Sequence, residues 1–372
     1  MTASSSNPVL QGKKISTVMI MAAGTGGHVF PALAVAEELR RQGIKVHWLA
    51  TLAGMEHRLV AKTDIPLHPI DIQGLRGNGI KRLLMAPFKI LLATLAAMRL
   101  MRALKIDAVA GFGGYVSGPG GLAARLLGIP LLIQEQNAIP GLTNKKLSSV
   151  ARLVLQAFPN TFPAQEKVKT TGNPVRQAIC ELPLPAFRYA ERAAAPLNVL
   201  VVGGSLGAQA LNEHVPAGLA QLDIPLNIRH QCGQQQVDAA TGRYQALHAS
   251  QLTVEVVAFI EDMAAAYAAA DVVICRAGAL TVTELATVGV AAVFIPLPSA
   301  VDDHQTVNAS YLADSGAAII CPQSTLTADS LAALLTPLMN RNTLKNMAIK
   351  ARQKAQPDAT QEVARYVLSL RS

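Results

Sequence analysis

The stretch Ile15-Ser16-Thr17-Val18-Met19-Ile20-Met21-Ala22-Ala23-Gly24-Thr25-Gly26-Gly27-His28-Val29-Phe30-Pro31 decides how the chain is read. An apolar, β-branched run ends in glycines, which is a strand entering a tight turn. Leu33, Val35, Ala36 and Leu39 then recur at helical spacing, so Pro31–Gln42 is expected to be a helix, with Pro31 at its start and Gly43 just past its end. Lys45–Ala50 returns to strand character. Lys13-Lys14 before the apolar run imitates a short signal peptide, but the glycines that follow fit a strand-to-loop passage better. Strand, helix, strand in this order predicts a parallel sheet with right-handed crossovers.

The pattern recurs. Ala108–Gly111 enters Gly113-Gly114, and Gly120–Leu127 and Pro130–Gln134 follow as helix and strand. The scheme then restarts: Asn198–Val202 is strand, Gly203-Gly204-Ser205-Leu206-Gly207 is loop and Ala208–Leu219 is helix. Thr253–Ala258 with Asp262–Ala270, Val272–Cys275 with Leu280–Val288, and Ala292–Ile295 with a helix through Asn308 continue it. The prolines 174, 183, 185 and 196 place a linker at Thr171–Ala195. A restart after about 180 residues implies an α/β protein of two Rossmann-like domains rather than one large sheet.

Composition agrees. The 372 residues are 51% hydrophobic and 15% charged, which excludes a disordered chain and suffices for two cores. Residues 1–176 hold 21 Lys and Arg against 8 Asp and Glu, whereas the remainder holds 12 against 16. A basic half suits nucleic acid or an anionic membrane surface. No zinc-finger spacing, RNP-like motif or Lys/Arg-rich block supports nucleic acid. Cys180, Cys232, Cys275 and Cys321 are widely spaced, so neither a disulfide framework nor a zinc site is expected. Ala193–Asn212 is uncharged over 20 residues, but Pro196 and Gly203-Gly204 make it strand, turn and helix, and no transmembrane helix is expected.

Several turns carry chemistry. Gly24-Thr25-Gly26-Gly27-His28 opens a helix, where backbone N–H groups attract anions. The dinucleotide fingerprint fails, because strand two ends Trp48-Leu49-Ala50-Thr51 without an acid. Gly111-Phe112-Gly113-Gly114-Tyr115-Val116-Ser117-Gly118-Pro119-Gly120-Gly121 has six glycines in eleven residues. Two such loops on neighbouring strands put two anion-binding turns on one sheet edge, and a diphosphate fits them. Gln134-Glu135-Gln136-Asn137 faces the same crevice. In the second half, Gly203-Gly204-Ser205 and Cys275-Arg276-Ala277-Gly278-Ala279-Leu280-Thr281-Val282-Thr283-Glu284 repeat the strand–turn–helix device, with Glu284 placed to accept from ribose hydroxyls or to serve simply as an acid near a helix start. No Asp-x-Asp, H-E-x-x-H or Cys/His cluster occurs, so no metal site is expected.

Gly24-Thr25-Gly26-Gly27-His28-Val29-Phe30-Pro31, Gly113-Gly114-Tyr115-Val116-Ser117-Gly118-Pro119, Glu135-Gln136-Asn137, Gly172-Asn173-Pro174-Val175-Arg176, Gly203-Gly204-Ser205 and Asp302-Asp303-His304-Gln305 together resemble the MurG family, in family order over nearly the whole chain. Ala23 departs from it, standing where the family often has Gly. The resemblance implies the GT-B fold, two Rossmann-like domains facing across a cleft. It implies metal-independent, cofactor-free transfer of GlcNAc from UDP-GlcNAc to an undecaprenyl-diphosphate muramyl-pentapeptide (lipid I), inverting to a β-1,4 linkage and giving lipid II for peptidoglycan. It implies a protein peripheral to the cytoplasmic face of the bacterial inner membrane, and it admits partner proteins of cell-wall synthesis.

By match to the family, Thr25, Gly26, Gly27, Asn137, Arg176, Ser205, Ile260, Ala279, Leu280, Thr281, Val282, Thr283, Glu284 and Gln305 hold UDP-GlcNAc, and Gly113, Gly114 and Tyr115 hold the acceptor. His28 is the first candidate for the general base and Glu135 the second; His28 as a structural residue or a ligand of the acceptor diphosphate is the alternative. The expected division is a disordered extension over 1–12, an acceptor- and membrane-binding domain over 13–176, a UDP-GlcNAc domain over 177–356 and a C-terminal helix over 357–372 packing back on the first domain. Lys81, Arg82, Leu83, Leu84, Met85 and Phe88 are expected to dock on an anionic leaflet, with Leu91–Leu104 partly a core helix. Three other readings compete. The absent acid after strand two argues against an oxidoreductase. An epimerase gives no reason for a basic first half. A nucleotide-gated membrane module without chemistry would be inactive with UDP-GlcNAc and lipid I.

Overall fold

The structure is a computed structural model that describes residues 14–72, 79–192, 195–204, 207–298 and 303–370, with the backbone alone over 79–84. The expected extension over 1–12 therefore lies outside the described residues.

The first sheet comprises β1 (Thr17–Met21), β2 (Lys45–Thr51), β3 (Leu67–Ile70), β4 (Ala108–Gly111), β5 (Leu131–Glu135), β6 (Leu153–Gln156) and β7 (Val168–Thr170). The second comprises β8 (Leu197–Val202), β9 (Leu226–Gln231), β10 (Leu252–Val257), β11 (Val272–Cys275), β12 (Ala291–Phe294) and β13 (Ala318–Ile320). Their orders are β3-β2-β1-β4-β5-β6-β7 and β10-β9-β8-β11-β12-β13, and every pairing is parallel. In each sheet the strand order reverses beside the first strand, between β1 and β4 and between β8 and β11. Ligands of open α/β sheets bind outside the carboxyl ends of the strands at such points. The glycine turns follow β1, β4, β8 and β11, so the topology delivers all of them to the two crevices.

Strand alternation explains why residues 18–21 of β1 and residues 272–274 of β11 are apolar throughout. Val18 and Ile20 face one helical layer with Trp48 and Leu39, whereas Met19 and Met21 face the other with Leu49 and Ile133. A parallel strand covered on both faces leaves no position for a polar residue. The second sheet is built likewise, with Leu200 and Val273 on one side and Val199 and Ile274 on the other.

One helix start differs from the expectation. The first helix spans Gly26–Arg41, with Pro31 inside it rather than at its beginning. The glycines themselves enter helical conformation, so the N-terminus of the helix sits at the turn. Pro31 gives up one intrahelical bond, that to the Gly27 carbonyl. The helix expected to run through Asn308 spans His304–Ala313 and so continues past that residue.

Thr171–Ala195 carries two short helices, Gln177–Cys180 and Pro185–Glu191. Arg188 in the second is buried. Its guanidinium donates to the carbonyls of Val288 and Gly289 at 2.8 and 2.5 Å, and to Pro183 at 3.0 Å. It thereby satisfies the open carbonyl end of helix Ala279–Val288, where the helix dipole favours a cation. Helix Ala359–Leu368 returns to the first sheet, placing Val363, Ala364 and Val367 in the cluster of Val29, Val35 and Leu39.

Candidate active site

The first crevice is made by the turns after β1, β4 and β5. The register sets Met21 beside Gly111 and Gly111 beside Ile133, so the first two turns begin at one level and β5 runs two residues further, to Glu135. The turn after β4 crosses the one after β1 closely. Gly113 and Gly114 have φ of +98° and +80°, and a Cβ on Gly114 would lie 2.2 Å from the Ala23 carbonyl oxygen. Only glycine fits there, on both conformational and steric grounds. Gly113 lies against the His28 ring, and Tyr115 stands exposed at the rim. Ser117 ties the turn down by donating to the Gly113 carbonyl at 2.8 Å.

His28 is partly buried on the first helix, with Thr25 Oγ1 3.3 Å from its Nδ1. Burial pulls its imidazole below the ordinary histidine value, and the negative charge of Glu135 offsets part of that. The ring is therefore neutral near pH 7, the form that can accept a proton.

Glu135 is buried and fully engaged. Oε1 accepts from the backbone N–H of Asn137 at 3.0 Å and from its Nδ2 at 3.2 Å; Oε2 accepts from Gly141 N–H at 3.0 Å and Asn144 Nδ2 at 2.9 Å. Two donors on each oxygen fill the sites a carboxylate offers. The side chain builds the loop that carries Asn137. Asn144 is a partner of Glu135 that motif reading did not pick out; its position in Gly141-Leu142-Thr143-Asn144 gives no hint of the contact.

The second crevice is made by the turns after β8, β11 and β12, aligned by the pairs Val202–Cys275 and Cys275–Phe294. Ser205 lies outside the described residues; Gly204 before it is held by Gln231 at the end of β9. That side chain accepts from Gly204 N–H and donates to the carbonyls of Gly204 and Ala258, each at 3.0 Å. Gln231 carries no sequence signal as a site residue.

Helix Ala279–Val288 opens after Gly278. The N–H groups of Ala279, Leu280 and Thr281 belong to its first turn, which has no intrahelical acceptors. Side chains C-terminal to these face inward: Val282 is fully buried, and the Thr283 hydroxyl donates to the carbonyls of Ala279 and Leu280 at 3.0 Å. Ile260 is also buried in the core. What Ile260, Val282 and Thr283 offer a ligand is backbone. Gln305 uses its Oε1 on Ala277 N–H at 3.2 Å and Leu297 N–H at 3.0 Å, so its Nε2 donors are what it presents.

Glu284 sits one turn in and is buried. Arg176 donates to its Oε1 at 2.8 Å and the Tyr267 hydroxyl to its Oε2 at 3.2 Å. Desolvation raises the carboxyl above its ordinary value, and Arg176 opposes that. Arg176 also stacks over the Phe30 ring of the first domain, 5.2 Å from its centroid, and so spans the two halves.

The residues expected to dock on a membrane lie elsewhere, on helix Gly79–Ala103. The side chains of Lys81, Arg82, Leu83 and Leu84 are outside the description; Met85 and Phe88 are exposed. Exposure continues past Phe88, the last of the residues expected to dock, through Leu91, Leu92 and Leu95 of the segment expected to be partly a core helix. The cause is a narrow buried stripe of Ala86, Ala93, Ala97 and Met101, which leaves the opposite face open. Leu122 and Leu126 on the adjoining helix Ser117–Leu127 are exposed too. Among the described residues no helix is long and apolar enough to cross a membrane, and no three His, Cys, Asp or Glu are grouped for a metal.

Comparison with known proteins fits this geometry. Residues 18–156 match the model of the glycosyltransferase family 28 N-terminal domain and residues 198–363 that of its C-terminal domain. The UDP-N-acetylglucosamine--N-acetylmuramyl-(pentapeptide) pyrophosphoryl-undecaprenol N-acetylglucosamine transferase of Acinetobacter baumannii (strain AYE) is 66% identical over 95% of this chain and 97% of its own. The protein of the same name from Aeromonas hydrophila is 54% identical over 94% and 95%. The crystal structure of Acinetobacter baumannii MurG superposes with a TM-score of 0.84 at 61% identity, over 95% of this chain and 99% of that one. The glycosyltransferase VinC, solved with dTDP, shares the fold alone, at 16% identity and a TM-score of 0.63.

Proposed function

We propose a function from one premise: the chain belongs to glycosyltransferase family 28, within its MurG family of N-acetylglucosaminyltransferases. It transfers GlcNAc from UDP-GlcNAc to the muramyl sugar of undecaprenyl-diphosphate-MurNAc-pentapeptide, the lipid I to lipid II step of peptidoglycan synthesis. The observation that carries this reading is near-full-length identity to transferases of that name.

In this reading the residues take the following roles. UDP lies in the second crevice, its diphosphate at the first turn of helix Ala279–Val288 and beside Gln305 Nε2, with Glu284 towards the ribose. The acceptor hydroxyl attacks the anomeric carbon from the face opposite UDP. The new C–O bond forms as the bond to the diphosphate oxygen breaks, and the electron pair leaves with UDP. Charge growing on that oxygen is met by N–H groups already oriented, which need no reorganisation at the moment of reaction. His28 takes the hydroxyl proton. Its neutral state and its place in the first crevice support it over Glu135, whose oxygens are all occupied. Glu135 is then a positioning residue for Asn137, on the donor-sugar side.

The acceptor's lipid stays in the bilayer, so the protein comes to the membrane surface at its cytoplasmic face. Support for the docking face is the open row Met85, Phe88, Leu92 and Leu95 beside exposed Arg99 and Arg125. The test of the activity is transfer of labelled GlcNAc from UDP-GlcNAc to a lipid I analogue by the purified protein in chelator. Labelled lipid II at the rate seen without chelator is expected. No product under either condition would overturn the reading, and product only with added magnesium would overturn the metal-free mechanism.

A further inference from the structure

Asn308 is fully buried on helix His304–Ala313, yet its carboxamide reaches both domains. Its Oδ1 accepts from Ala138 N–H in the first domain at 2.8 Å. Its Nδ2 donates to Asn137 Oδ1, also in the first domain, and to the Ala277 carbonyl in the second, each at 3.3 Å. Asn308 and Gln305 lie three residues apart on one helix face, where side chains are neighbours. They hold the two ends of one residue: Gln305 accepts from Ala277 N–H, and Asn308 donates to Ala277 O. Ala277 leads directly into the turn that opens helix Ala279–Val288. A continuous chain of bonds therefore runs from Asn144 and Gly141 through Glu135, Asn137 and Asn308 to Ala277.

We propose that Asn308 is a positioning residue that sets the spacing between the Asn137 loop and the diphosphate turn, so that one donor sugar is gripped from both domains at once. The inference rests on the reading of the two crevices as donor sites. A side chain that only stabilised the second domain would have no need to spend both polar ends on groups flanking those crevices. UDP alone occupies the second crevice and does not call on the spacing; the sugar does.

The experiment measures Asn308→Ala and Asn308→Ser against the parent by calorimetry with UDP and with UDP-GlcNAc, by transfer kinetics, and by the distance between spin labels at exposed Ser149 and Ser324 in a Cys180→Ser background. UDP affinity is expected within about twofold of the parent, with the extra affinity for UDP-GlcNAc over UDP and kcat/KM lowered about tenfold, as for loss of one or two hydrogen bonds. The label distance is expected to broaden. Equal losses for UDP and UDP-GlcNAc, no loss for either, or failure of both variants to fold would each overturn the proposal. If the parent protein itself does not transfer GlcNAc, it is the functional reading that falls, while the label distances still report whether Asn308 holds the domains together.

Discussion

The His28 ring and Gly113 are in direct contact: a Cβ built on Gly113 would stand 2.7 Å from Cδ2 and 3.0 Å from Nε2 of the imidazole. The absence of a side chain at 113 is therefore what gives the ring its place. Gly113→Ala is expected to push His28 aside and to strain a backbone at φ +98°. Turnover should fall by about 100-fold, the scale of an ångström-sized misplacement, while UDP affinity measured by calorimetry stays at the parent value. Turnover at the parent level would show that the ring position is immaterial.

His28→Gln should cost roughly 100- to 10,000-fold in kcat, as for loss of a general base, with little change in UDP binding. Burial holds the His28 imidazole below its ordinary 6.5, so the base is active wherever it is deprotonated. The acid limb of kcat/KM should lie below pH 6.5 in the parent and vanish in the variant. A near-normal turnover with a sharply raised acceptor KM would instead make His28 a binding residue.

Glu284→Ala should weaken UDP binding by about 1–3 kcal/mol, the range for a charge-assisted hydrogen bond. It also strips the partners from Arg176 and Tyr267, so the melting temperature should drop as well. Calorimetry with UDP decides: unchanged affinity removes Glu284 from the site.

His230 is buried with Nε2 3.0 Å from Asn212 Oδ1 and Nδ1 3.0 Å from the Tyr244 hydroxyl, and burial pushes it down to about 4. Unfolding frees it to bind a proton at its ordinary 6.5, so the unfolded state carries more protons between these values. Stability should accordingly fall as pH drops from 6.5 towards 4, by up to about 3 kcal/mol. Thermal unfolding across this window should be steeper in the parent than in His230→Gln; equal slopes would rule His230 out as the source.

Phe88→Glu combined with Leu92→Glu should abolish co-sedimentation with anionic vesicles at low salt, because both side chains lie on the open face of their helix. Soluble UDP binding should be unaffected. Vesicle binding that survives the double substitution would move the docking surface to another part of the basic half.

The amino-acid sequence by itself determined the two parallel sheets and the place of their glycine turns. Those features are local: a β-branched run such as Val18–Met21 buried on both faces, then glycines, then helical spacing, fixes a strand, a turn and a helix without reference to anything distant. Five strands carry no such signal: Leu67–Ile70, Leu153–Gln156, Val168–Thr170, Leu226–Gln231 and Ala318–Ile320 are short or interrupted by polar residues such as His68, Lys169 and Arg229. Only the tertiary structure decided what each turn residue does. A linear reading ranks His28 before Glu135 as the base on side-chain chemistry alone; the donors on Glu135 come from its own loop, but their convergence depends on how that loop folds back. Gln231 lies 27 positions from the turn it anchors, and Asn308 lies 171 positions from Asn137. The open apolar face of helix Gly79–Ala103 likewise depends on which narrow stripe the sheet covers. Hydrophobic periodicity reports which residues leave water, but not which distant polar groups meet once they have, and the chemistry of this site lies in those meetings.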